Sequence, residues 1–329
     1  MKFSKKSLVA AAVFGMVSLG ASAADVITFD PLGNTANTST DLSVTTFDWL
    51  PGSALAVGVN SSTGIGGSFT TYFQANLGTI LNGSTTVYTS GGTSGPFGTG
   101  PLPSFTAVAG FGESVQSCAG TPCLNATFTF DSTNPVNFFH INYTGVGTPA
   151  NNLTGAGFTG TTILSGHIVS SGFSSNFALA NQQPTNPTLL DSFNTSNGTN
   201  PIYWNNTATV TGSGASSILV QIDSANSAYF PDLMSGMFIA FSPFNTSQIL
   251  AFNQVDPSLC MASATADCAI ASNVGTFNGF PVGGGGGPDV IFQADGNQSF
   301  LRVVPEPGTL ALLGVGLLGF AMIRRRNLA

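Results

Sequence analysis

The chain has 329 residues, 42% of them hydrophobic and only 6% charged, with seven cations against fourteen acids. Six of those cations sit at the extremities, and Arg302 is the one cation between residues 24 and 304, where thirteen acids give a net charge near −12. Such a body cannot neutralise a phosphate backbone, which excludes nucleic acid as a partner, and it disfavours anionic lipid or polysaccharide unless a divalent cation bridges them.

The front of the chain reads as an export signal. Lys2, Lys5 and Lys6 form a positive head, Leu8 to Gly20 an apolar run, and Ala21-Ser22-Ala23 a small-residue cleavage site. Residues 1–23 are therefore expected to pass the Sec export machinery and be removed after Ala23, with Ala21 and Ala23 as the recognised small residues. The mature chain then begins at Ala24.

From there the pattern is β. Phe128 and Phe130 alternate with Thr127 and Thr129, and Phe139, Ile141 and Tyr143 with Phe138, His140 and Asn142. The same period of two runs through Ile218, Val220 and Ile222, and through Val290, Phe292 and Ala294. Clusters of Gly, Asn, Ser and Pro punctuate these runs as turns. With 27 phenylalanines and no other aromatic close in number, the core is expected to be built on phenylalanine. The reading is an all-β body over residues 24–304, a β-sandwich or jelly roll in a single domain. Thr89–Ser104 and Asn181–Pro201 read as long loops, and Gly283–Gly287 as a broad turn. Tyr72–Leu81 and Phe244–Val255 are the only weak helical candidates in the body.

Four cysteines fall in two close pairs, Cys118 with Cys123 and Cys260 with Cys268. Export favours disulfides, and the spacings favour local staples, although three pairings are open. A four-thiolate metal site is disfavoured in an oxidising compartment.

Catalytic signals are sparse. Gly155-Ala-Gly-Phe-Thr-Gly160 matches a phosphate-binding glycine pattern in letters, but a strand pattern follows it where a helix is required, so it reads as a turn. His140 and His167 lie in strand-like stretches, with no nucleophile-elbow motif to accompany them. Glu113, the one glutamate of the body, lacks the recognisable second carboxylate that glycoside hydrolysis needs. The chain is read as a non-enzyme with no cofactor, and calcium is the one candidate ligand. Asp289, Asp295 with Asn297, Asp223 with Asn226, and Asp256 offer hard oxygens beside turns, outside any EF-hand pattern. Trp49 and Tyr203-Trp204 are candidate stacking platforms for sugar, against a competing reading as core aromatics.

The last 25 residues, 305–329, stand apart. Pro305-Glu306-Pro307 is extended by its two prolines and readable by a protease. The uncharged run 309–323 follows, about 22 Å long as a helix, short of a hydrocarbon core of about 30 Å. Arg324, Arg325 and Arg326 then stop transfer, snorkel to the headgroups and hold the C-terminus cytoplasmic. This order of proline box, single membrane helix and basic end resembles the PEP-CTERM sorting signal of Gram-negative bacteria. The body is similar to an uncharacterised group of such proteins through Ala54-Leu-Ala-Val-Gly58, Tyr72-Phe-Gln-Ala75, Asn245-Thr-Ser-Gln248 and Gln293-Ala-Asp-Gly-Asn-Gln-Ser-Phe300.

The resemblance implies cutting by an exosortase-type membrane protease near the proline box. A membrane-tethered intermediate would then give way to a surface or matrix protein linked to exopolysaccharide, biofilm or floc formation. The expected role is structural or adhesive, with exopolysaccharide as the candidate partner; the alternative is a carbohydrate-binding module, with calcium as its candidate cofactor.

Overall fold

The computed structural model describes residues 25–34, 40–57, 65–92, 94–95, 98–120, 125–147, 149–150, 157–158, 160–181, 211–245, 276–277, 280–281 and 288–301. The strands are β1 (Ile27–Phe29), β2 (Leu42–Val44), β3 (Thr46–Val57), β4 (Ser68–Asn82), β5 (Thr85–Thr89), β6 (Ser94–Gly95), β7 (Gly98–Thr99) and β8 (Pro103–Ala119). They continue with β9 (Asn125–Phe130), β10 (Asn137–Val146), β11 (Thr161–Asn181), β12 (Thr211–Ala225), β13 (Phe238–Asn245), β14 (Thr276–Phe277), β15 (Phe280–Pro281) and β16 (Pro288–Leu301). No α-helix occurs among the described residues, so the all-β body expected from the alternation is there.

The strand pairings close on themselves. Taken in chain order, β3 pairs β4, β4 pairs β8, and one edge of β8 carries β10 along Pro103–Phe111 and β9 along Glu113–Ala119. Both β9 and β10 pair β11, which pairs β12, then β13 and β16 follow, and β16 pairs β3. Every pair in this ring is antiparallel, and β9 with β10 fills one position of eight. The result is an up-and-down barrel, with none of the crossing connections of a jelly roll. Closure satisfies the backbone of both would-be edge strands, which two open sheets would leave unpaired.

The interior is filled with side chains. Ile218, Val220 and Ile222 point inward from β12 and are buried, while Asp223 is exposed on the outer wall. Phe73 of β4 and Phe139 of β10 reach Phe241 of β13 from opposite sides, with ring centres 5.2 and 5.4 Å away. Eight strands enclose a space of about this size, one that side chains can fill. The phenylalanine-rich core is as the composition predicts.

Two local readings change. Tyr72–Leu81 lies wholly inside β4, not on a helix. Phe73, Leu77 and Ile80 satisfy i, i+4, i+7 spacing, yet Phe69, Phe73, Ala75 and Leu77 share strand parity, and all are buried. Thr70, Thr71, Tyr72 and Phe73 supply the β-branched and aromatic residues that favour the strand. Thr89–Ser104 holds the β6–β7 hairpin and the first residues of β8. Of Phe244–Val255, Phe244 and Asn245 belong to β13 and the rest lies outside the described residues, as do Asn181–Pro201 after Asn181 and Gly283–Gly287.

A layer from the β10–β11 connection covers part of the outer wall. Asn76 on β4 exchanges two hydrogen bonds with the Ala150 backbone, at 2.7 and 2.9 Å, and the Asn142 amide donates to Phe158 O at 3.0 Å. Beside it, the turn between β9 and β10 presses on β8 at Gly110 and Gly112. A Cβ at Gly112 would stand 2.3 Å from Cβ of Asn134, whose amide donates to Thr70 Oγ1 at 2.8 Å. Only glycine leaves room for that approach.

Candidate functional site

The barrel has two unlike ends. At one end β16 finishes at Leu301, and the first residues of the expected mature chain arrive beside it, with Asp25 N donating to Phe300 O at 3.0 Å. Here β1 and the 226–237 connection stopper the barrel mouth. Thr28 N donates to Asp232 Oδ2 at 2.9 Å, and Asp30 N to Tyr229 O at 2.9 Å. The buried Asp30 carboxylate gathers its own turn, accepting from Leu32 N at 2.9 Å, Asn34 N at 2.6 Å and the Thr40 hydroxyl at 3.0 Å.

Beneath the stopper sits an aromatic cluster. Phe29 lies 5.1 Å from Phe47, 5.4 Å from Phe105 and 4.9 Å from Phe230, and Phe47 lies 5.3 Å from Phe300. All five rings are fully buried. Tyr88 joins them, donating its hydroxyl to Pro103 O at 2.8 Å.

At the other end stand the last residue of β3, the first of β4, the β8–β9 pair around Ala119 and Asn125, and the strand ends flanking 182–210 and 246–275. A smaller cluster of Ala56, Phe69 and Val115 lines the interior there, with Phe128 against it. Glu113 is buried in this region. Thr71 donates a short hydrogen bond to its Oε2, and Ser175 is a second hydroxyl on it, itself receiving Ser216 Oγ at 2.8 Å. Burial pushes the Glu113 carboxyl up to about 7, against the opposing pull of the Thr71 and Ser175 hydroxyls. Its hydrogen-bonding neighbours are hydroxyls, and among the described residues no second carboxylate is paired with Glu113.

Both histidines lie on the outer wall, on neighbouring strands. A bulge between Ser165 and Gly166 lets Asp223 stand beside Ser224 on the exposed face, and Asp223 Oδ1 meets His167 Nδ1 at 2.8 Å. Ser165 Oγ and Ser224 Oγ are 3.0 Å apart. His140 stacks on Phe138 at 5.3 Å; burial pulls it below the ordinary 6.5, and Asp223 pulls the other way. An acid therefore orients His167, but among the described residues no serine bonds to either imidazole, and the triad is not assembled.

The calcium candidates separate. Asp223 is engaged with His167, and Asn226 caps its own turn through Ala228 N at 3.0 Å. Asp295 accepts from Gly296 N at 2.8 Å and is raised, first by burial and then by nearby Asp48. Among the described residues no group of three His, Cys, Asp or Glu side chains is placed to hold a metal. Asp256 and the side chain of Asp289 lie outside the described residues. Trp49 is not a stacking platform: it is buried inside the barrel against Phe47, at 6.0 Å. The inward parity of β3 carries it there, since Phe47 and Trp49 share a face. Tyr203 and Trp204 lie outside the described residues.

Cys118, near the end of β8, is disulfide-bonded. Cys123, Cys260 and Cys268 lie outside the described residues, as do Ala21, Ala23, Pro305, Glu306, Pro307, Arg324, Arg325, Arg326 and the apolar run 309–323. Among the described residues no helix is long and apolar enough to cross a membrane. What the barrel does fix is where its own described residues begin and end: Asp25 and Leu301 both lie at the stoppered end. Sequence patterning had no means of bringing residues 25 and 300 together.

Residues 303–326 match the PEP-CTERM protein-sorting motif. The match covers the tail and does not reach into the barrel. No curated protein and no solved structure matches the chain. The motif marks an exported protein that an exosortase sorts and processes while it is anchored in a membrane.

Proposed function

Taking the chain as an exported exosortase substrate, we propose that its barrel is a structural or adhesive component of the extracellular matrix, working beside exopolysaccharide and without catalysis. The observation that carries this reading is the wall. Many of its outward positions are hydroxyls and amides, such as Asn125, Thr127 and Thr129 on β9, with Ser117 and Thr127 hydroxyls 2.5 Å apart. Neutral donors and acceptors on a closed, filled barrel suit many weak contacts with polysaccharide. They do not suit a deep site of convergent polar groups of the kind that enzymes use. Burial of Glu113 supports the non-catalytic reading further, as does the lack of a serine–histidine hydrogen bond among the described residues.

The test is genetic and biochemical together. Deleting the gene is expected to change aggregation or biofilm texture, while purified protein releases no reducing ends from the host's own polymer. Release of reducing ends that disappears in Glu113→Gln would overturn the assignment in favour of an enzyme. Saturable binding to one polysaccharide, abolished by EDTA, would replace it with a calcium-dependent carbohydrate-binding module.

A further inference from the structure

We infer that the stoppered end of the barrel rests on the lipid bilayer interface during the anchored stage, through apolar side chains that surround the chain termini. The inference rests on the membrane-anchored processing that the sorting motif implies, and adds which face of the body meets the membrane and by what chemistry.

The first observation is chain length. Seven residues, 302–308, separate Leu301 from the apolar run that starts at Thr309. Fully extended they reach about 25 Å. The headgroup layer alone occupies roughly 5–8 Å of that distance. The proline box lies inside the same short connection, four residues beyond the end of β16. At the front, Asp25, the second residue of the expected mature chain, is already bonded to Phe300 O. Both cuts therefore fall within a few residues of one end of the barrel.

The second observation is where apolar surface is exposed. Among the described residues six large apolar side chains stand exposed. Four of them belong to this end: Val26 before β1, Leu32 in the Asp30 turn, Val146 at the end of β10, and Met234 in the 226–237 connection, which is 68% exposed. Ile65 is at the opposite end and Leu50 is on the wall. Isolated exposed hydrophobics need no explanation, but their concentration around the anchored end does. In sequence this end holds one cation, Arg302, against Asp25, Asp30 and Asp232, far short of a basic cluster, so the contact is apolar and does not depend on anionic headgroups.

The test uses the full-length chain anchored through its own C-terminal segment in phosphatidylcholine vesicles. A photo-crosslinking benzoylphenylalanine replaces Met234, Leu32, Leu50 or Ile65 in turn, all exposed positions that tolerate bulk. Lipid adducts are expected several-fold more at positions 234 and 32 than at 50 and 65, unchanged by high salt or by added phosphatidylglycerol. Position 65 lies about 35 Å farther out, from a 14-residue strand tilted by about 40°. Equal labelling at all four positions, or labelling that needs the anionic lipid, overturns the inference. A chain that fails to float with the vesicles overturns the anchored stage itself, and this inference with it. Adducts to protein in place of lipid, when the same variants are irradiated in cells, would assign the face to the processing protease instead.

Discussion

The stoppered end and the far end of this barrel solve the same problem, closing a ring of eight strands, in opposite ways. The stoppered end spends five phenylalanines, a short N-terminal strand and the 226–237 turn on its mouth, and its one deeply buried carboxylate, Asp30, has three donors at 2.6–3.0 Å. Among the described residues the far end has a smaller apolar cluster, and the buried Glu113 has hydroxyls as its hydrogen-bond partners. The difference teaches where rigidity is needed. The stoppered end holds Asp25 and Leu301, where the described body begins and ends, whereas strands at the far end lead into the longest intervening segments of the chain.

If that contrast is correct, truncating rings at the two ends should cost different amounts. Phe29→Ala removes a ring that touches Phe47, Phe105 and Phe230 and is expected to lower stability by about 3–5 kcal/mol. Phe128→Ala at the far end removes a half-buried ring with one aromatic neighbour among the described residues, Phe69 at 5.2 Å, and should cost less than half as much. Urea unfolding followed by tryptophan fluorescence reads both, since Trp49 sits in the interior. Equal losses would erase the distinction between the ends.

The two buried carboxylates sharpen it through pH. Glu113 is raised from the ordinary 4.5 to about 7 by burial, so between those values the folded chain holds a proton that the unfolded chain has released. Stability from this group is therefore highest below pH 4.5, falls as pH rises through the window, and levels off above about 7. The loss is on the order of 3 kcal/mol, from roughly 1.4 kcal/mol per pKa unit. Glu113→Gln should remove that slope, being more stable than the natural chain at pH 8 and close to it at pH 4. A variant whose pH profile runs parallel to the natural one would show that Glu113 is ionised at little cost.

Packing on the outer wall gives a smaller effect. Gly112→Ala places a methyl against Asn134 and Asp131 O, at 2.3 and 2.8 Å before relaxation, and should cost about 1–3 kcal/mol. Thermal unfolding measures it. No loss would mean that the 131–136 turn moves away freely.

Much of this was legible in the chain, and what was not has a common cause. Alternation at Phe139, Ile141 and Tyr143, or at Ile218, Val220 and Ile222, carries the strand and its inward face, because the side-chain period of a strand is two. Alternation says nothing about which strand lies beside which, so the pairing of Ser299 with Thr46 that closes the ring could not be read from either segment. Trp49 had the composition of a sugar platform, and only its parity with Phe47 places it indoors. Leu32 and Met234 look like ordinary loop residues in one dimension, and their shared end emerges only once Asp25 meets Phe300. The sorting signal was legible outright, since protease box, apolar run and basic stop act in linear order and need no fold.

The same limit applies to the histidines, which no spacing connects. His140 and His167 are 27 residues apart in sequence, and a bulge at Ser165 in the β11–β12 pairing brings Asp223 to His167. That pair is exposed, 38% at the histidine and 52% at the aspartate, so water screens it. His167→Ala should therefore change stability by less than about 1 kcal/mol, and 0.5 M salt should shrink that further. The comparison that matters is with Phe29→Ala: both side chains make specific contacts, but one lies on a wet wall and the other under the stopper. A loss at His167 approaching that of Phe29 would mean that the outer face is drier than its exposure indicates, and that another molecule covers it in the mature assembly.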